Sequence, residues 1–151
     1  MNRIFKYCTP FFVLFLLLPG SSCKKETTCN GVPNVSVYFQ IQLNMGYPTL
    51  NVPGNNETFT GGYNGDGVLV YRYTSNQFYA YDCTCPYDGQ SNSKAIINTS
   101  SVSSLYATCP VCGSSFLLST GSPSKGPSTC PLKAYAGTSY DAGSNTVTVS
   151  N

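Results

Sequence analysis

Two short cysteine runs constrain this chain more than anything else in it. They are Cys83-Thr84-Cys85-Pro86-Tyr87-Asp88 and, further on, Cys109-Pro110-Val111-Cys112-Gly113-Ser114-Ser115-Phe116. Each puts two sulfurs on a tight, proline-containing turn. Two such turns facing each other can hold one metal centre, or can close on each other as disulfides.

The frame that presents these turns reads as strands. Val35, Val37, Phe39, Ile41 and Leu43 alternate with Ser36, Tyr38, Gln40 and Gln42, the period of a half-buried strand. A turn-rich passage follows through Met45-Gly46-Tyr47-Pro48 and Pro53-Gly54-Asn55-Asn56. Strands are predicted over Val68 to Tyr73 and Phe78 to Tyr81, with a turn at Ser75-Asn76-Gln77; this hairpin runs straight into Cys83 and Cys85. Leu105 to Thr108 leads into Cys109 and Cys112, Phe116 to Leu118 leaves the second turn, and Leu132 to Tyr135 and Thr146 to Val149 close the sheet. No amphipathic helical period or internal repeat is present, and Gly, Ser, Asn, Thr and Tyr outweigh the helix formers. The fold class that follows is all-β, built from short antiparallel strands.

Composition removes several functions. The chain has no histidine, so Ser-His or Cys-His nucleophiles and His-ligated metals are excluded. From Cys23 onward Lys24, Lys25, Arg72, Lys94, Lys125 and Lys133 are balanced by Glu26, Glu57, Asp66, Asp82, Asp88 and Asp141. A neutral domain argues against nucleic acid as a partner.

The N-terminus reads as an address. Arg3 and Lys6 precede an apolar run from Phe11 to Leu18, then Pro19-Gly20-Ser21-Ser22-Cys23, the pattern of a secretory signal over residues 1–22. Cys23 after small residues is similar to the bacterial lipoprotein signal, in which that cysteine is acylated. Gly20 stands where such signals usually carry Leu, and ordinary cleavage after Ser22 is the alternative. The polar tether that follows, Lys24 to Asn30, favours lipidation. Either route places the domain outside the cytoplasm, where thiols tend to oxidise, and lipidation places it in the bacterial cell envelope, facing periplasm or exterior. With lipidation the membrane, reached through the anchor, is a partner.

From Tyr71 to the C-terminus the chain resembles a Rieske iron–sulfur domain. That family binds [2Fe-2S] between two loops, C-x-H and C-x-x-H-G. Cys85-Pro86-Tyr87 falls on the first and Cys109-Pro110-Val111-Cys112-Gly113 on the second. The likeness continues through Phe116, Gly121-Ser122-Pro123, Gly126-Pro127 and Pro131-Leu132-Lys133. It implies a Rieske-like antiparallel sandwich or barrel over residues 35–151, preceded by a tether at 23–34. Cys85 and Cys109 match the family's cysteine ligands, Tyr87 and Cys112 stand where it has His, and Cys83 is an additional thiol.

Three occupancies follow for Cys83, Cys85, Cys109 and Cys112. As ligands of a [2Fe-2S] cluster with all-thiolate coordination, they would lower the potential toward the plant-type range, on the order of −400 mV. As four thiolates around zinc, they would form a closed structural site without redox function. As disulfides, they would staple a cluster-free Rieske-like fold, each bridge contributing ~2–4 kcal/mol. Cys29 and Cys130 then remain as a further pair.

Tyr71, Tyr73, Phe78, Tyr79, Tyr81 and Tyr87 crowd the approach to the first turn and read as cross-strand packing. Asp82 and Asp88 read as loop residues bonded to their own backbone. Two functions stand: a membrane-tethered electron-transfer protein working with a redox partner protein, or a cluster-free structural or binding module. No catalytic base, cofactor loop or substrate pocket points to an independent enzyme.

Overall fold

The computed structural model describes residues 31–151. The expected signal segment, the expected acylation site Cys23 and Cys29 lie outside the described residues. Among the described residues there is no α-helix, only short 3-10 turns at Pro48–Asn51 and Tyr63–Gly65. No helix there is long and apolar enough to cross a membrane.

Among the described residues ten strands follow in chain order: β1 (Tyr38–Gln42), β2 (Asn56–Phe59), β3 (Val68–Arg72), β4 (Phe78–Asp82), β5 (Asn98–Thr99), β6 (Tyr106–Thr108), β7 (Ser115–Leu117), β8 (Pro123–Lys125), β9 (Ser139–Asp141) and β10 (Thr146–Ser150). They form three antiparallel sheets, ordered β1-β10-β9, β2-β3-β4 and β5-β6-β7-β8. The all-β expectation is met.

Strand β3, Val-Leu-Val-Tyr-Arg, is buried along its whole length because the β2-β3-β4 sheet is covered on both faces. Strand alternation sends Val68 and Val70, with Phe78 and Ala80 of β4, into a core shared with Ile41, Leu43, Leu50, Val147 and Val149. Leu69, Tyr71 and Tyr81 point the other way, into a core with Ala107, Phe116, Leu118, Leu132 and the sulfurs of Cys83, Cys85 and Cys109. The cysteines thus rest on the second core. Arg72 ends β3 with its guanidinium donating to the carbonyls of Leu50 (2.8 Å), Thr74 (3.2 Å) and Ser75 (2.6 Å). Its charge lies over the Phe78 ring at 5.1 Å.

Two sequence expectations differ in extent. The first strand is shorter than the Val35–Leu43 alternation, although Val37, Ile41 and Leu43 are buried as its period requires. Leu132 to Tyr135 forms no strand: Tyr135 N–H bonds to Ala80 (2.9 Å), Asp82 N–H bonds to Lys133 (2.8 Å), and the pairing stops there.

The start of the described chain lies against the far loops. Gly31 accepts a hydrogen bond from Gln90 Nε2 at 3.0 Å, Val32 is buried, and Asn34 accepts from Lys133 Nζ. Cys130 is disulfide-bonded. The expected pairing with Cys29 falls on a residue outside the described ones, and the other described cysteines are free.

Candidate metal centre

The first loop leaves β4 at Asp82 and is pinned as it goes. Cys83 N–H bonds to Gly67 (3.0 Å), Cys85 N–H to Ala95 (2.9 Å), and Ile97 N–H returns to Cys83 (2.7 Å). Cys85-Pro86-Tyr87-Asp88-Gly89 then closes as a turn, with Gly89 N–H donating to the Cys85 carbonyl at 2.9 Å. Only glycine fits at its end: a Cβ on Gly89 would lie 2.5 Å from Thr84 Cγ2 and 2.6 Å from the Cys85 carbonyl oxygen.

The second loop joins β6 to β7. Cys109 N–H bonds to Ser114 (2.9 Å), and Gly113 N–H donates to the Cys109 carbonyl at 3.0 Å. Gly113 takes the left-handed φ of +74°, which favours glycine. In each turn the first cysteine's sulfur accepts backbone N–H bonds from the third and fourth residues: Tyr87 and Asp88 for Cys85, Val111 and Cys112 for Cys109.

The turns face each other. The sulfurs of Cys85, Cys109 and Cys112 and a carboxylate oxygen of Asp88 lie within 4.8 Å of one another. Cys85 Sγ is 3.7 Å from Cys112 Sγ, and Cys109 Sγ is 3.8 Å from Asp88 Oδ1. Cys85 and Cys109 are buried; Asp88 and Cys112 are partly exposed. All three thiols are free, and the 3.7 Å separation is beyond an S–S bond of about 2.05 Å. The inter-loop disulfide is therefore not formed in this structure.

The expected four-cysteine set is not what converges. Cys83 is buried apart from the group, where its sulfur takes hydrogen bonds from the Leu69 backbone and the Thr58 hydroxyl. Burial, and then the neighbouring Asp82 charge, push its thiol up to about 12. Tyr87, at the family's first His position, is 58% exposed. Asp88, expected as a loop residue, brings its carboxylate to the sulfurs instead. The signal that could have found it is the motif itself: Cys-Pro-x-Asp-Gly in one loop and Cys-Pro-x-Cys-Gly in the other. Asp82 does bond its own backbone, accepting from Thr84 N–H at 2.9 Å, but it is fully buried and holds two further donors.

Burial raises the thiols of Cys85 and Cys109, partly offset by the N–H groups aimed at their sulfurs. At Cys112 burial also raises, but the Ser114 hydroxyl and N–H, with Cys109 and Cys85, outweigh it and hold this thiol below its ordinary value. Ser114 Oγ accepts from the Cys112 thiol at 3.1 Å and from the buried Ser128 N–H at 2.8 Å, and its own hydrogen can turn to the sulfur once Cys112 is a thiolate. Crowding three thiols and a carboxylate is costly without a cation. With one, coordinated thiols deprotonate outright and the cost inverts. Thiolate donors with N–H bonds to sulfur are what an iron–sulfur centre takes, and in donor chemistry the residues fit one.

The aromatic cluster is packing, as expected, although it does not form one group. Tyr71, Tyr73, Tyr79 and Tyr81 make a run of tilted neighbours with ring centroids 5.7–6.4 Å apart, while Phe78 packs on Tyr140.

Comparison with known proteins bears on the same loops. The family model for the Rieske [2Fe-2S] domain matches residues 45–136. The ferredoxin of carbazole 1,9a-dioxygenase from Nocardioides aromaticivorans IC177 is similar at 23% identity, over 77% of this chain and 97% of that one, with a TM-score of 0.44. The Sphingomonas yanoikuyae B1 ferredoxin is similar at 18% identity, over 68% and 92%, with a TM-score of 0.45. No curated protein matches the chain.

Proposed function

Because the chain belongs to the Rieske [2Fe-2S] family, we propose that it is a one-electron carrier with its iron–sulfur centre between the two Cys-Pro turns. The observation that carries this reading is the convergence of three free thiols and a carboxylate within 4.8 Å on the family's two ligand loops. When bound, the cluster supplies a one-electron couple.

The chain's own residues would do the rest. Cys85 and Cys109, buried on the Phe116 core, and the partly exposed Cys112 would hold the irons as thiolates. The N–H groups of Tyr87, Asp88, Val111 and Cys112 and the Ser114 hydroxyl place positive hydrogen ends on the sulfurs, where they stabilise the added negative charge of the reduced state. Tyr87 and Val111, exposed at the turn tips, leave the centre approachable by a partner that gives or takes the electron. Thiolate in place of imidazole lowers the potential toward about −400 mV.

Acylation of Cys23 would tether the domain to a membrane of the bacterial envelope, so the redox partner is an envelope protein. Labelling with a radioactive fatty acid, with and without Cys23→Ser, tests this tether.

The deciding experiment is anaerobic purification with iron, sulfide and zinc assays and a visible spectrum. Iron and sulfide in equal amounts, with charge-transfer bands, support the reading; metal-free protein ends it. One observation favours a second reading, a closed zinc site. Two thiolates on one tetrahedral zinc, at Zn–S about 2.3 Å, lie about 3.8 Å apart. Cys85 and Cys112 are 3.7 Å apart. Zinc without sulfide in the same assay would establish that alternative.

A further inference from the structure

We propose that Asp88 is the fourth ligand of the centre, completing a set of three thiolates and one carboxylate with Cys85, Cys109 and Cys112. The proposal rests on the electron-transfer reading above and deepens it.

The two loops are one local motif written twice. Cys85-Pro86-Tyr87-Asp88-Gly89 and Cys109-Pro110-Val111-Cys112-Gly113 share cysteine first, proline second and glycine fifth. They share their hydrogen bonds as well. The fifth residue's N–H closes on the first residue's carbonyl, at 2.9 Å in one turn and 3.0 Å in the other. The first residue's sulfur accepts from the third and fourth N–H groups in both. Third-position side chains leave the site in both, Tyr87 58% and Val111 44% exposed.

Fourth-position side chains therefore leave equivalent turns at equivalent points, and each crosses to the opposite turn's first cysteine. Cys112 reaches Cys85 at 3.7 Å, and Asp88 reaches Cys109 at 3.8 Å. The arrangement has an approximate two-fold exchange, with one carboxylate where symmetry would put a thiolate. No room for a Cβ at Gly89 keeps the Asp88 end of the turn in place. The other sequence candidates fit less well: Cys83 is engaged with Leu69 and Thr58, and Tyr87 is 58% exposed. Four anionic ligands replace the family's two thiolates and two neutral imidazoles, so the site is more negative by two charges.

The full chain is purified anaerobically as wild type, C83S, D88A and D88C, and each is assayed for iron, sulfide, visible absorption and the electron paramagnetic resonance of the reduced state. C83S is expected to keep the wild-type iron, sulfide and spectra. D88A is expected to lose most of its iron and sulfide. D88C makes the turns alike and is expected to keep both while gaining charge-transfer intensity, because a carboxylate oxygen lacks the sulfur-to-iron bands that a thiolate supplies. A D88A protein with full iron and unchanged spectra, or a C83S protein that loses its iron, overturns the assignment. Should D88A fail to fold by far-ultraviolet circular dichroism, D88C decides: full iron with a wild-type spectrum also overturns it. Wild type without iron and sulfide instead overturns the electron-transfer reading itself, before any variant is compared.

Discussion

The Tyr135 hydroxyl donates to Asp82 Oδ2 at 2.5 Å, joining the segment after the proline-rich loop to the last residue of β4. The same carboxylate accepts Tyr63 N–H at 2.7 Å and Thr84 N–H at 2.9 Å and is fully buried. Asp82 is thus a buried charge with three donors, placed immediately before the loop that carries Cys85 and Asp88. It fixes the root of that loop.

Tyr135→Phe removes one of these donors and is expected to destabilise the fold by about 1.5–3 kcal/mol at neutral pH, the range for a hydrogen bond to a charged group. Urea unfolding checks this, and an unchanged midpoint would show that Asp82 does not need the phenol.

The same pair sets a pH dependence. Burial, and then the hydrogen bond and charge of Asp82, hold the Tyr135 phenol above its ordinary 10.0. A raised folded value means the fold retains the proton. Its stabilisation is complete below about pH 10 and is lost as pH rises from there toward the folded value. The stability gap between wild type and Tyr135→Phe should therefore hold constant up to about pH 10 and narrow as pH rises above it. A constant gap would contradict the shift.

The two turn-closing glycines should respond differently. Gly89→Ala drives a methyl to 2.5 Å from Thr84 and is expected to cost about 1–3 kcal/mol or more and to abolish metal binding. Gly113→Ala meets nothing within 4 Å and carries only the left-handed backbone cost, about 1–2 kcal/mol. Its iron content should survive. Equal losses in the two variants would refute the packing argument.

Ser114→Ala strands the buried Ser128 N–H and strips a hydrogen bond from Cys112. The expected cost is about 1–3 kcal/mol, together with a more negative reduction potential, since hydrogen bonds to sulfur favour the reduced centre. Protein-film voltammetry reads the potential.

With no histidine in the chain, no ligand imidazole couples proton to electron. The potential should stay flat across the range where imidazole titrates, about pH 5 to 8. A slope there would mean that another group takes up the proton.

Much of the fold was legible where the pattern is strong: the alternation of Val37 to Leu43, and the continuous apolar run of Val68 to Tyr71, buried on both faces. β2 was not: Asn-Glu-Thr-Phe carries little pattern, and pairing with β3 makes it a strand. Leu132 to Tyr135 had strand composition, yet meets β4 at a single bridge, and composition does not report pairing length. At the site, Cys85, Cys109 and Cys112 could be read from spacing. Asp88 could not while its loop was compared with C-x-H, because its donor sits one position further on. Cys83 read as a ligand because two-residue spacing looks like chelation, and only the Leu69 and Thr58 contacts separate it from the group.

The seam that lays Gly31 against Gln90 and Asn34 against Lys133 decides where the upstream chain departs: beside the first Cys-Pro turn. Under the tether proposed at Cys23 this is a short leash. Were Cys23 so anchored, its eight-residue link to Gly31 would keep that edge of the domain within about 30 Å of the surface. Loosening the seam would lengthen the reach without touching a ligand.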